Sequence, residues 1–249
     1  MPIGLGRKRR RAVSLEEGAA PGAARCPACG EPLFAWVESE GFGPREDQLI
    51  DRCENCGLVV PRDAVPTPEA AVAQLLGAHG DPSGNGNDAR HSDDGSALVD
   101  RVPNAASLQA WLGAENWAAL RPQDSSIKPT PRAAELLLAR RGLEPRRIRQ
   151  VPGAGMASMW QTLLNLLTFH RDFAAEAGSR RLRPGSGRGL AAYLIDAMVT
   201  VLAAVPTAIL AVLLEGGALL VRRGGVIEIR TGERRSDRRS GEPARDRTG

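Results

Sequence analysis

Lysine is nearly absent from the sequence, and this limits what the positive charge of the chain implies about its binding partners. Of the 33 basic residues only Lys8 and Lys128 are lysines, so arginine supplies almost all of the net charge of +4. Composition rich in arginine, alanine and glycine is typical of a GC-rich bacterial genome, and so small a net charge does not predict a nucleic-acid surface. The 42% apolar and 25% charged fractions exclude collagen-like, wholly disordered and polytopic membrane proteins.

A secretory leader pattern is also lacking, because no apolar stretch follows the basic run at 7–11. We therefore expect a cytoplasmic protein, and the apolar segment of the chain could associate it with a membrane. Disulfides form mainly in oxidising compartments, so the cysteines of this chain need another explanation.

Cysteine occurs four times, in two C-x2-C pairs that are each followed by glycine and are separated by 23 residues. This is the spacing of a structural zinc site, with two disulfides or four free thiols as the alternatives. One tight turn lets both thiolates of a pair bind one ion at about 2.3 Å, and the glycine permits the positive φ that turns backbone N–H groups toward sulfur. We predict Zn²⁺ bound by Cys26, Cys29, Cys53 and Cys56, and four sulfur ligands imply a structural rather than a catalytic ion.

Composition and periodicity divide the chain into five segments. The segments are a disordered basic N-terminus at 1–24, a zinc ribbon at 25–61, a linker at 62–96, an α/β segment at 97–230 and a disordered tail at 231–249. Ribbon strands are predicted at 33–37, 48–52 and 58–60, and the linker opens with a plausible helix start at Thr67. In the fourth segment the patterns predict strands at 97–102, 143–148 and 226–230, helices that start after Ser107 and Thr130, and one helix over 156–176.

Residues 197–214 form the longest uncharged apolar stretch, slightly shorter than the roughly 20 residues that span a bilayer. A helical projection places small and polar residues on one side: Asp196, Thr200, Ala203, Ala204, Thr207, Ala211 and Glu215. Bulky apolar residues lie on the other side: Met198, Val201, Leu202, Val205, Ile209, Val212 and Leu213. This asymmetry favours a helix that lies on an apolar surface of protein or membrane, and a single transmembrane helix remains the alternative. Pro206 is expected to kink or divide the helix.

The order of several short motifs is more informative than any one of them. The two cysteine pairs come first, and the second continues as Gly57-Leu58-Val59. Next come Val102-Pro103-Asn104 with Ser107-Leu108, and then Gly113, Trp117 and Leu120. The last motifs are a Thr130-Pro131 helix ending at Gly142, the segment from Gln161 to Asn165, and a strand after Gly224-Gly225. This order resembles a bacterial family of class I S-adenosylmethionine-dependent methyltransferases that carry an N-terminal four-cysteine zinc knuckle.

The resemblance implies a cofactor site for which this chain has no room. In that family the cofactor lies on the first half of the sheet, which here would have to fall within the 35 residues of 62–96. Three βαβ units of about 30 residues each would need roughly 90. The family's histidines before the Thr-Pro helix are also missing, because 121–126 contains none.

We therefore predict an α+β fold that consists of a small zinc ribbon and an incomplete, methyltransferase-like α/β C-terminal half with long apolar helices, a disordered linker and disordered tails. S-adenosylmethionine is not an expected cofactor. The chain is not expected to be an enzyme on its own; if it is one, it is a methyltransferase.

No set of residues has a spacing that indicates nucleophilic catalysis, so no catalytic and no cofactor-binding residue is predicted. His79 and His91 lie in the expected linker, and we interpret His170 as a surface or boundary residue of an amphipathic helix. The tryptophans are interpreted as core or interface residues: Trp111, Trp117 and Trp160.

The function that the sequence predicts is binding. Half a sheet leaves an unpaired edge and an apolar face, so we expect a non-catalytic, methyltransferase-like zinc-binding protein that associates with a protein partner, a second copy or a membrane surface. One alternative is an active methyltransferase, alone or with a partner that supplies the cofactor site. Another is a single-span membrane protein with a cytoplasmic zinc ribbon, spanning at 190–221. Nucleic acid is not an expected partner, because acidic residues predominate between the cysteine pairs.

Overall fold

A computed structural model describes residues 24–39, 48–76, 99–120, 127–178 and 188–233. These residues form two three-stranded antiparallel sheets and six α-helices, which confirms the predicted α+β class. The basic start at 1–23, the glycine-rich stretch of the expected linker, His79, His91 and the tail from 234 lie outside the described residues.

The first sheet forms where the ribbon was predicted. Its strands are β1 (Leu33–Ser39), β2 (Gln48–Cys53) and β3 (Val59–Pro61), paired antiparallel in the order β1-β2-β3. The cysteine pairs precede β1 and connect β2 to β3, so both of them lie at the same end of the sheet. This arrangement brings the two cysteine pairs, which are far apart in the sequence, close together.

Residues 62–76, which composition assigned to the linker, are folded. A 3₁₀ turn at Arg62–Ala64 leads to helix α1 (Pro68–Leu75). The predicted start at Thr67 is confirmed, since its hydroxyl accepts the N–H of Ala70 at 3.3 Å and proline occupies the first turn. Val72 and Leu75 are buried, so one apolar turn was enough to fix this segment on the core.

The second sheet consists of β4 (Val99–Pro103), β5 (Leu143–Gln150) and β6 (Val226–Glu233) in the order β4-β6-β5. Each strand is antiparallel to its neighbour, so β4 and β5 run parallel to one another on either side of the last strand. The chain between them passes through α2 (Leu108–Gly113) and α3 (Pro131–Arg140). A helical crossover between parallel strands is the connection typical of α/β folds.

Helix α3 begins and ends as its sequence predicts. Thr130 accepts the N–H of Ala133 at 3.1 Å, Pro131 occupies the first position, and Gly142 just beyond the helix has φ +69. Ser107 caps α2 in the same way, accepting the N–H of Ala110 at 3.1 Å. Helix capping therefore fixes the positions of both crossover helices.

The single helix predicted over 156–176 is wrong, because the chain forms α4 (Met156–Asn165), a turn and α5 (Phe173–Gly178). Asn165 binds the turn through its side chain, accepting the backbone N–H of Asp172 at 2.9 Å. Asp172 has φ +56, which no helix interior allows. Leu166 and Leu167 lie in the turn and are exposed.

Helix α6 (Arg188–Leu220) contains the long apolar stretch and is not divided at Pro206. Proline removes the backbone donor for the carbonyl of Leu202. The next two carbonyls accept side-chain hydrogen bonds, from Thr207 Oγ1 to Ala203 O at 2.6 Å and from Trp160 Nε1 to Ala204 O at 3.0 Å.

The predicted asymmetry of α6 is confirmed. Asp196, Thr207, Ala211 and Glu215 are buried against protein. We call the opposite side the apolar face of α6, and its bulky residues are all exposed: Met198, Val201, Leu202, Val205, Ile209, Val212 and Leu213. Within the described residues, Leu190–Leu220 is the one helix long and apolar enough to cross a membrane, with mean hydropathy 2.5, and 11% of its most apolar stretch is buried.

Candidate metal centre

The four cysteine sulfurs converge on one point. Cys26 Sγ lies 3.6 Å from Cys56 Sγ, and Cys29 Sγ lies 3.4 Å from Cys53 Sγ and 3.7 Å from Cys56 Sγ. All four sulfurs are within 4.8 Å of one another. A zinc ion with sulfur ligands at about 2.3 Å places tetrahedral ligands about 3.8 Å apart, so the cluster has the dimensions of a tetrathiolate site. All four cysteines are free, at separations well beyond the roughly 2.05 Å of a disulfide bond.

Backbone geometry holds each cysteine pair in the predicted knuckle. Gly30 and Gly57 have φ +81 and +75, the left-handed conformation expected after each pair. Their N–H groups donate to the carbonyls of Cys26 and Cys53, both at 2.8 Å. The turns direct further N–H groups at sulfur, where Cys26 accepts from Ala28 and Cys29, Cys53 from Cys56, and Cys56 from Leu58.

Hydrogen bonds and burial within the cluster favour the thiolate of Cys26 and oppose those of Cys53 and Cys56. A hydrogen bond from Cys56 lowers the pKa of the Cys26 thiol to about 5 despite its burial. Its hydrogen bond to Cys26 and its own burial raise the pKa of Cys56, and burial raises the pKa of Cys53. Because a second and a third thiolate would repel the first, full ionisation of the cluster needs a bound cation.

Positive charge surrounds the knuckles, as a site of net negative charge requires. Four thiolates on Zn²⁺ carry a net charge of −2, and three guanidinium groups bind the surrounding oxygens. Arg25 donates to Gly30 O at 3.2 Å and Arg140 to Ala28 O at 2.8 Å. Arg132 donates to the side chain of Asn55 in the second pair at 3.2 Å. The ligands and their surroundings together are consistent with zinc.

The C-terminal half of the chain docks directly on the second knuckle. Thr130 Oγ1 donates to Cys56 O at 2.5 Å, while Lys128 and Val59 exchange backbone hydrogen bonds of 2.9 and 3.0 Å. A Cβ on Gly57 would lie 2.7 Å from Thr130 Cγ2. The cysteines belong to a buried cluster that continues through α1, α3 and β6, so the metal centre is part of the main core.

Sequence reasoning missed Thr130, Arg132 and Arg140 as parts of the site. Thr130 had a signal, but for helix capping only, and its second hydrogen bond reaches 74 positions back in the sequence. Local periodicity does not report a contact of that range. The arginines gave no signal, because they are among many on exposed positions.

The histidines and tryptophans considered in the sequence lie away from the cysteines or outside the residues that the structure describes. His170 is at the protein boundary as interpreted, but it lies in the turn between α4 and α5 and not on a helix. Its Nδ1 is 2.5 Å from Asp196 Oδ2, and a third of its side chain is exposed. Trp117 is fully buried, and Trp160 lies on α4 and packs against the cluster that α4 shares with α6. Trp111 is 72% exposed on α2, so it is not a core residue.

Comparisons with known protein families, with curated proteins and with solved structures returned no significant match. No family match supports the methyltransferase resemblance, which rests on the motifs of the sequence. The four-cysteine cluster and the long apolar helix are the two features on which a functional argument can be built.

Proposed function

We propose that the protein is a non-catalytic, zinc-binding protein that acts by association, with a methyltransferase-like C-terminal half serving as the scaffold for α6. The observation that carries this proposal is the apolar face of α6, which leaves seven bulky side chains in solvent. Monomeric soluble proteins rarely expose large contiguous apolar patches, and such patches mark interaction sites. Zinc has the structural role here, since four sulfur ligands leave no open coordination position.

The methyltransferase-like part of the proposal is supported by the order of the motifs and by the crossover from β4 to β5 through α2 and α3. The non-catalytic part is supported by the 35 residues of 62–96, too few for three βαβ units of about 30 residues each. Calorimetric titration with S-adenosylmethionine should give no binding heat. Micromolar binding by the isolated chain would contradict this part of the proposal.

Association is tested on the full, zinc-loaded chain by light scattering after size-exclusion chromatography, with and without mild detergent. The wild-type chain should self-associate or bind detergent. Leu202→Gln with Leu213→Gln should reduce either form of association by at least tenfold, because both residues are on the apolar face. A wild-type chain that is monomeric, monodisperse and free of detergent would contradict the proposal.

A further inference from the structure

The charged side chains of α6 that the structure describes are directed at protein. Asp196 is fully buried and accepts the backbone N–H groups of Phe169 and His170 at 2.8 and 2.9 Å. Glu215 is 1% exposed and accepts the backbone N–H of Gly225 at 2.8 Å. The sequence between these two acids contains no charged residue, so the apolar face is uninterrupted by charge.

The polar face of an ordinary interfacial helix faces water, whereas here it is packed on protein. Protein contacts run along α6, from Asp196 through the Trp160 hydrogen bond at Ala204 to Glu215. Exposed apolar side chains extend along α6 from Leu190 to Leu220, about 45 Å at the helical rise per residue. That length exceeds the roughly 30 Å of bilayer hydrocarbon, and an upright helix would draw its packed neighbours into lipid. The geometry therefore favours a helix parallel to a membrane plane.

Arginine lies at both ends of this helix. Arg188 is the first residue of the helix, and Arg222 and Arg223 follow its last residue and are exposed. Cationic residues that flank an interfacial apolar face attract anionic headgroups. Two copies pairing through α6 would bring arginine-bearing ends together whether the helices ran parallel or antiparallel, which disfavours a second copy as the partner.

We infer that the apolar face of α6 binds an anionic phospholipid surface, with the helix in the plane of the membrane and its arginine-bearing ends at the headgroups. This inference rests on the proposed function and names its partner.

The test is flotation of the full, zinc-loaded chain with vesicles of phosphatidylcholine alone or with phosphatidylglycerol. The chain should float with the anionic vesicles, bind neutral vesicles at least tenfold more weakly, and be released by alkaline carbonate. Leu202→Gln with Leu213→Gln should abolish flotation while the zinc content is unchanged, because both side chains are exposed.

Two double arginine substitutions distinguish the effect of charge at the end of α6 from the effect of the overall charge of the protein. Arg222→Gln with Arg223→Gln should weaken binding to anionic vesicles about thirtyfold. Arg141→Gln with Arg146→Gln removes the same charge from exposed positions outside α6 and should change it less than threefold. Equal effects of the two pairs would overturn the inference.

Two further outcomes would overturn the inference and leave the proposed function standing. One is self-association that the Leu202 and Leu213 substitutions disrupt, without flotation on either vesicle, which would make a second copy the partner. The other is binding to neutral vesicles that resists carbonate, which would make α6 a transmembrane helix.

Discussion

At the scale of single residues, the cysteines differ more from one another than their repeated motif suggests. Cys26 has its pKa lowered to about 5 by the hydrogen bond from Cys56, whereas the pKa of Cys56 is raised by that hydrogen bond and by burial. Burial also raises the pKa of Cys53. The cluster therefore holds protons at neutral pH that a metal ion must displace.

Zinc binding at pH 7 should release at least two protons, one each from Cys53 and Cys56, while Cys26 is already ionised. Thiols with a raised pKa keep their protons in the metal-free state and lose them to the metal, so zinc affinity should fall as pH falls. Calorimetric titration of the reduced chain in two buffers with different ionisation enthalpies measures the proton count. Release of fewer than two protons per ion would contradict this description of the cluster.

The residues of the metal centre show what sequence can predict at this scale. Spacing predicted all four clustered cysteines and the left-handed glycines after them, because a C-x2-C knuckle is a local structure. Thr130 was not predicted as a contact of Cys56, because that hydrogen bond depends on how α3 packs on the ribbon. Local motifs could be predicted from the sequence, whereas the contacts between distant segments could not.

At the scale of elements, α3 fastens the ribbon to the rest of the protein. The hydroxyl of Thr130 makes two hydrogen bonds: it accepts the N–H of Ala133 as the helix cap, and it donates to Cys56 O. Thr67 caps α1 with a similar hydrogen bond to Ala70 N–H, on an exposed position. The two threonines are therefore a matched pair that separates capping from docking.

Thr130→Ala should lower the free energy of unfolding by about 2 kcal/mol, and Thr67→Ala by about 1 kcal/mol. The first substitution removes a cap and a buried hydrogen bond, whereas the second removes a cap and a solvent-exposed hydrogen bond to Glu69. Urea unfolding of the zinc-loaded chain measures both values. Thr130→Ser, which retains the hydroxyl, is the control and should lose less than about half as much as Thr130→Ala. Equal losses for the two alanine variants would show that Thr130 contributes nothing to docking.

Elements were predicted well where a cap or a glycine marks their ends, as for α3 and β6. The prediction failed over 156–176, where apolar spacing continued through a turn. That turn is fixed by Asn165 and by Asp196, whose carboxylate accepts the N–H groups of Phe169 and His170. The periodicity of apolar residues does not indicate a hydrogen bond to a carboxylate on a later helix.

At the scale of the whole molecule, one buried cluster joins the cysteines to α1, α3 and β6. Composition marks boundaries near 61 and 97, but the core runs from the knuckles to Ile227 and Ile229 in the last strand. Closing the ribbon around a metal therefore stabilises more than the ribbon. We expect the metal to support the scaffold that holds α6 with its apolar face outward.

The role of the four cysteines depends on what their sulfurs bind. X-ray absorption at the zinc edge, on the full chain purified without added metal, measures the ion and its ligands together. We expect one zinc per chain with four sulfur neighbours at about 2.3 Å. A chain free of zinc, or a zinc ion with nitrogen or oxygen ligands, would contradict a structural tetrathiolate centre.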